Sequence, residues 1–200
     1  MDSTEPKKNI RVYTISECCI FRDNAGEFGG LSNMSSAFPL QINHVRIKTL
    51  EALYQACKFP EDIELQKRII AEPSPFTAKM ITKGKATRKD WMDIRVEVMR
   101  WCLQIKLAQN YNSFGLLLSM TERKNIVEYS RRDDFWGAKQ INDKQLQGIN
   151  ALGRLVMELR QFYLSCPKSE LVIVKKPAIR NFSLFGEEIN DVDMTAKYQK

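Results

Sequence analysis

One histidine, His44, is all the imidazole that this 200-residue chain has. That scarcity excludes multi-histidine metal sites and leaves any histidine-based triad resting on a single residue, so carboxylates, lysine, tyrosine or bound water are the expected catalytic groups. Cysteine is no better placed for structural chemistry. Cys18, Cys19, Cys57, Cys102 and Cys166 are odd in number, scattered and without a CxxC pair, which points to neither a disulfide framework nor a zinc site but to free, mostly buried thiols. No window approaches the roughly 18 uninterrupted apolar residues of a membrane span. The start, MDSTEPKKN, lacks the apolar core of a signal peptide. The expectation is an intracellular, cytoplasmic protein with no membrane association. Internal repeats and low-complexity tracts are missing as well.

What is present is a globular composition, 44% hydrophobic and 28% charged, at a length that suits one domain. A net charge of +7 points to anionic partners such as phosphates, nucleotides or nucleic acid. The excess is local. Between Ser74 and Asn110, eight cations face three anions, so +5 of the +7 lies there.

Residues 1–9 are polar and expected to fray. Ile10 to Phe21 reads as a strand, followed by a glycine-bearing loop from Arg22 to Gly30. Phe38 to Lys48 alternates like a hairpin turning at Asn43-His44, where the histidine is expected to be exposed. Thr49 to Pro60, TLEALYQACKFP, predicts a short helix with Thr49 as N-cap and a stop ahead of Pro60. Leu50, Leu53, Tyr54 and Cys57 form its apolar stripe, and Glu51, Gln55 and Lys58 its polar row. A second helix is expected over Glu61 to Ala71, with Ile63, Ile69 and Ile70 inward. Ser74-Pro75 starts a third that Gly84 ends. Asp90 to Gln109 is the longest helical pattern and is expected at the centre of the core. A short helix from Phe114, a strand over Asn125 to Ser130 and a strong helix from Leu146 to Ser165, with Ile149, Leu152, Val156, Leu159 and Phe162 inward, complete the pattern. Residues 10–165 form the expected domain. Residues 166–200 read as a partly disordered extension, with a strand at Leu171 to Val174 and disorder from Asn190 onward.

Several residues have chemistry beyond packing. Glu51 sits on a rigid element, as either a solvated carboxylate or a catalytic or sugar-binding one. Lys79, mid-helix beside Phe76 and Met80, is a surface lysine, a phosphate clamp or an amine nucleophile. Arg95 follows Trp91 by one turn, a spacing that serves packing or a site that stacks a ring and grips a phosphate. Arg154 and Arg160 are placed to reach anions or surface carboxylates. The irregular run Arg131 to Lys139, RRDDFWGAK, is the loop best suited to carry function.

Taken together, GEFGGLSNM, TLEALYQACKFP, SPFTAKM, the block from Arg88 to Asn110, DDFWGAK and GINALGRLVMELR resemble the NADAR superfamily of YbiA-like N-glycosidases, over roughly Phe21 to Tyr163. The resemblance implies a mainly helical α+β fold, a single multihelical domain with short N-terminal strands or a hairpin beside the helices. It implies hydrolysis of a ribosyl–base bond without metal or other cofactor. Glu51, Trp91, Asp133 and the Trp136-Gly137 pair match the family's motif, and Leu50 departs from the serine that commonly precedes the glutamate. On this basis Glu51, Asp133 and Lys79 are the expected catalytic residues. Phe21, Gly29, Gly30, Leu31, Ser32, Asn33, Trp91, Arg95, Trp136, Gly137, Asn150, Gly153 and Arg154 are expected to bind substrate. GGLSN and Ala78-Lys79 resemble the arm of the family that removes ADP-ribose from guanine in DNA or RNA, an activity that pairs with ADP-ribosyltransferase toxins. The other arm acts on riboflavin-biosynthesis intermediates, and a non-catalytic ADP-ribose binder is a third class.

Cleaving the bond builds positive charge on the ribose and needs a proton for the departing base. The expected arrangement is Glu51 and Asp133 sharing acid–base work, Trp91 and Trp136 sandwiching a ring, and Arg95, Arg154 and Lys79 neutralising phosphates. In a variant of this scheme, Lys79 attacks the opened ribose as a Schiff-base nucleophile.

Overall fold

A computed structural model describes residues 9–199, so the fraying expected for residues 1–9 lies, Asn9 apart, outside the described residues. The run expected as one strand is two, β1 (Arg11–Thr14) and β2 (Cys18–Phe21), separated by a single 3-10 turn at Ile15–Glu17. The Ile15 N–H donates to the Lys144 carbonyl at 2.9 Å and the strands part company there. β1 joins an antiparallel three-stranded sheet with β6 (Lys139–Asn142) and β7 (Gln145–Gly148), while β2 runs parallel to β5 (Asn125–Glu128). No glycine or proline marks the break in the sequence. β3 (Leu40–Ile42) and β4 (Val45–Ile47) form the expected hairpin, with Asn43 at φ 50° in its turn.

Helices α1 (Leu50–Ala56), α2 (Ile63–Ala71), α3 (Pro75–Ile81), α4 (Trp91–Gln109), α5 (Tyr111–Met120) and α6 (Ala151–Ser165) follow. Thr49 caps α1 as expected, its Oγ1 accepting the Ala52 N–H at 3.2 Å, which makes the Leu50 departure harmless to the cap. α4 packs against α1, α5, α6 and β3. From Val98 onward it is buried on nearly every side, as its encircling apolar residues require.

Three inward assignments or boundaries change. On α2, Ile63 is exposed and Leu65 takes its place beside Ile69 and Ile70. On α6, Phe162 is 40% exposed. The helix begins at Ala151 rather than Leu146, because Leu146 belongs to β7 and packs with Tyr13, Val127 and Ala138 in a small second core. Leu146, Ile149 and Leu152 keep helical spacing across the strand, so periodicity alone runs through the boundary.

The extension is folded. α7 (Lys168–Leu171), β8 (Ile173–Val174), β9 (Ser183–Leu184), β10 (Glu187–Glu188), β11 (Val192–Asp193) and α8 (Thr195–Tyr198) return across α4. Val174, Phe182, Leu184 and Ile189 join the main core, Phe182 lying edge-on to Trp101 with ring centroids 4.9 Å apart. Disorder expected from Asn190 onward gives way, through Gln199, to tethered chain: Lys197 Nζ donates to the Gln109 carbonyl at 2.6 Å, and the Tyr111 N–H donates to the Tyr198 hydroxyl at 3.0 Å. These apolar residues are too widely spaced for a periodic pattern, yet long-range contacts gather them. Among the described residues, no helix is long and apolar enough to cross a membrane.

Candidate active site

Two of the three residues of the α1 polar row are buried, and Lys58, in the turn after the helix, is half-buried. Glu51 is 5% exposed and Gln55 2%, so the face that the sequence left open as solvated lines an interior cavity. The Glu51 N–H donates to the Asn33 carbonyl at 3.0 Å, which ties the first turn of α1 to the loop after the 3-10 turn Gly29–Leu31. One turn along, Gln55 Nε2 donates to Glu51 Oε1 at 2.7 Å, and the Thr82 hydroxyl donates to Gln55 Oε1 at 2.8 Å. The carboxylate is thereby held in one orientation.

A second wall comes from β5 and the loop after it. Asn150, left-handed at φ 52° and fully buried, spans to β5 from the start of α6. Its Nδ2 donates to the Ile126 carbonyl at 2.8 Å, and its Oδ1 accepts the Glu128 N–H at 3.1 Å. Gly153 permits that approach, since a Cβ there would run into the Ile126 carbonyl and the Asn150 side chain. In the loop, Asp133 Oδ1 accepts the N–H groups of Phe135 and Trp136, each at 2.9 Å. Half of this carboxylate is therefore spent shaping its own turn. The Arg95 guanidinium clamps the loop from α4, 3.7 Å from the centre of the Phe135 ring.

Between the walls lies a cavity of about 270 Å³ whose lining includes Glu51, Glu128 and Asp133 together with Lys58, Lys79 and Arg95. Among the described residues, no three acidic, cysteine or histidine side chains come close enough to hold a metal ion. Burial, reinforced by the charges of Glu51 and Asp133 and opposed by Lys79, pushes the Glu128 carboxyl up to about 7. Burial also lowers Lys58, against the pull of Glu51. The Tyr54 phenol is raised by burial first and Glu51 second, and stays protonated. Among the described residues, the buried Asn33 Oδ1 has no hydrogen-bond partner.

Of the residues expected to act, Ser32, Asn33, Glu51, Lys79, Trp91, Arg95, Asp133 and Trp136 line this one cavity. The tryptophans do not face each other across an open slot: Tyr54 packs on both, with ring centroids 5.0 Å from Trp91 and 5.7 Å from Trp136. The others stand behind the wall. Phe21 and Leu31 are core, and the Gly30 carbonyl accepts from the buried Lys106 ammonium at 2.7 Å. At Gly29 a Cβ would meet the Asn24 backbone, and at Gly137 the Glu128 carbonyl. Asn150 and Gly153 hold β5, and Arg154 lies outside the lining. Arg160 is engaged with the Thr121 hydroxyl at 2.8 Å and the Lys124 carbonyl at 2.9 Å. Sequence reasoning missed Tyr54, Gln55, Lys58, Glu128 and Ser130 as lining residues. Glu128 had a signal, since strand alternation puts it on the face of buried Ile126 at the strand's end.

The sequence model of the NADAR domain matches residues 20–163. The chain belongs to the NADAR family. Among its NADAR relatives is the N-glycosidase YbiA of Escherichia coli strain K12, 31% identical over 143 residues that cover 70% of this chain and 85% of YbiA. Parts of two larger proteins also match. The riboflavin biosynthesis protein VVA0006 of Vibrio vulnificus is 35% identical over 56% of this chain and 29% of its own length. The chloroplastic riboflavin biosynthesis protein PYRR of Arabidopsis thaliana is 34% identical over 58% of this chain and 20% of its own length. The NMR structure of E. coli YbiA superposes with a TM-score of 0.61 at 30% identity, covering 72% of this chain and 83% of that one. The mainly helical α+β fold expected from the resemblance is therefore the NADAR fold.

Proposed function

We propose that this chain is an N-glycosidase that removes ADP-ribose from guanine bases in nucleic acid. The observation that supports it most is the pairing, on two walls of one cavity, of a buried, oriented Glu51 with a Glu128 carboxyl raised to about 7. Two carboxyl groups in unlike environments are what a glycosidic cleavage asks for, one to give a proton and one to take it.

In this reading Glu128 protonates the departing base as the C1–N bond breaks. Glu51 takes a proton from the water whose oxygen adds to C1, and the negative charges of Glu51 and Asp133 stabilise the cationic ribose. The protonated Tyr54 phenol is a donor. Lys58, Lys79 and Arg95 meet phosphate. Lys79 lies at the exposed rim, which suits a phosphate contact better than the desolvated setting an amine nucleophile needs.

A second reading, ribose 5-phosphate release from a riboflavin precursor, is favoured by the names of the Vibrio and Arabidopsis relatives. The experiment is to incubate the protein with an ADP-ribosylated guanine oligonucleotide and, separately, with a riboflavin precursor, and to identify the released sugar by mass spectrometry. ADP-ribose from the first alone supports the proposal. Ribose 5-phosphate from the second alone transfers it to the other reading, and ADP-ribose affinity without turnover leaves a binder. Glu51→Gln is expected to cut release by a factor of about 100 or more.

A further inference from the structure

Beside the cavity lies a larger cleft, of about 990 Å³, that the chemistry above does not use. Lys58 lines both, so the two spaces are neighbours on either side of that residue. One wall is the turn after α1, a second the segment from Lys85 to Asp90, and a third Arg180 and Asn181 of the extension. That third wall lies outside the residues 20–163 that match the NADAR domain.

Five cations and three anions line the cleft, and they are not equally free. Arg88 grips Asp90 at 2.6 Å and 3.0 Å while donating to the carbonyls of Arg180 and Asn181 at 2.6 Å and 3.2 Å. It staples the extension to the domain, with four of its five N–H donors engaged and its charge paired. This ion pair also holds the Asp90 carboxyl below its ordinary range and cancels its charge. Asp62 caps α2 through the Leu65 N–H at 2.9 Å, and Glu61 lies 3.5 Å from the Asn181 amide. Among the described residues, no salt bridge engages Lys58, Lys85, Lys89 or Arg180. With Arg88 and Asp90 cancelling, four cations face the two carboxylates of Glu61 and Asp62, whose hydrogen bonds to neutral N–H groups leave their charges in place, and the net charge of the cleft is positive.

We infer that this cleft holds the phosphodiester backbone of a nucleic-acid strand running out of the cavity, with Lys85, Lys89 and Arg180 each meeting phosphate. The inference rests on the proposed reading of the cavity, because the strand is the remainder of the modified nucleic acid. The aromatic ring in the lining, Phe59, is buried. With no exposed ring to stack a base, the contacts are to phosphate and binding is indifferent to sequence. The cleft has more than three times the volume of the cavity, a size that suits several nucleotides better than one pyrophosphate.

The test is binding of a labelled, unmodified single-stranded dodecanucleotide by fluorescence anisotropy at several salt concentrations. The triple variant Lys85→Glu, Lys89→Glu, Arg180→Glu, all exposed positions, is expected to bind at least tenfold more weakly. Its slope of log affinity against log salt should be shallower by about 2. An equal charge change elsewhere, Arg46→Glu, Lys48→Glu, Lys144→Glu, should leave the affinity within threefold. The inference is overturned if the wild type does not bind the strand, if both triple variants lose affinity alike, or if the cleft variant loses ADP-ribose binding and keeps the strand. Circular dichroism confirms that each variant is folded. Because the strand is unmodified and no turnover is read, the two results separate: a protein that binds this strand yet releases no sugar from the ADP-ribosylated oligonucleotide refutes the proposed reaction and leaves the cleft assignment standing.

Discussion

Glu128 is where stability and the proposed chemistry pull in opposite directions. Its carboxyl, raised to about 7 by burial and by the neighbouring charges of Glu51 and Asp133, binds its proton more tightly in the folded chain than in the unfolded one. Between the ordinary carboxylate range and pH 7 the native state therefore holds more protons, and stability falls as pH rises through that window. Glu128→Gln removes the penalty. At pH 8 the variant should be more stable than the wild type by about 1–3 kcal/mol, seen as a higher melting temperature, with the gain shrinking toward pH 4. In the same variant kcat/KM should fall by a factor of about 100 or more. The wild-type profile should decline above pH 7 as the acid loses its proton, and the variant's should lack that limb. A wild-type profile flat from pH 6 to 9 would remove Glu128 from the acid role.

At the scale of elements, the second wall depends on a single amide. Asn150 joins α6 to β5 through both of its side-chain polar atoms, and asparagine tolerates the left-handed backbone it adopts there. Asn150→Ala leaves the Ile126 carbonyl and the Glu128 N–H short of a partner in a closed interior. At about 1–3 kcal/mol for each of the two groups, the loss should be about 2–6 kcal/mol, measured by urea unfolding. Asn150→Asp keeps the acceptor for Glu128 and should retain more activity than the alanine variant. The contrast between the walls also shows what a sequence can disclose. Thr49, Pro60 and the apolar stripe of α1 lie within twelve residues, so local rules locate Glu51 as soon as the helix is drawn. Glu128 belongs to a strand whose parallel partner is β2, a hundred residues earlier, and whose cavity neighbours come from α1 and the Asp133 loop. No local pattern brings those together. The β6–β7 hairpin escaped for another reason, the helical spacing of Leu146, Ile149 and Leu152 that runs through β7 into α6. The protein's own Tyr54 ring between the tryptophans was hidden by its membership of an apolar stripe, where it reads as core.

The whole molecule is one body because the chain after Ser165 completes the core of what precedes it. Phe182 is the clearest case. It is 4% exposed, lies edge-on to Trp101 of α4, and sits next to the Arg180 and Asn181 carbonyls that Arg88 holds. Phe182→Ala removes a buried aromatic side chain and leaves a void against α4, at a cost of about 3–5 kcal/mol. Against a net stability of about 5–15 kcal/mol, that is a severe loss for a residue far from the carboxylates. Were the extension an independent appendage, the urea midpoint followed by tryptophan fluorescence would not move, and circular dichroism would report two transitions. With a shared core, both probes should shift together to lower urea in a single transition. The cavity should weaken in step with the fold, because the segment from Lys85 to Asp90 is bonded at once to the extension and to the turn after α1, the latter through the Arg88 N–H and the Lys58 carbonyl at 3.0 Å.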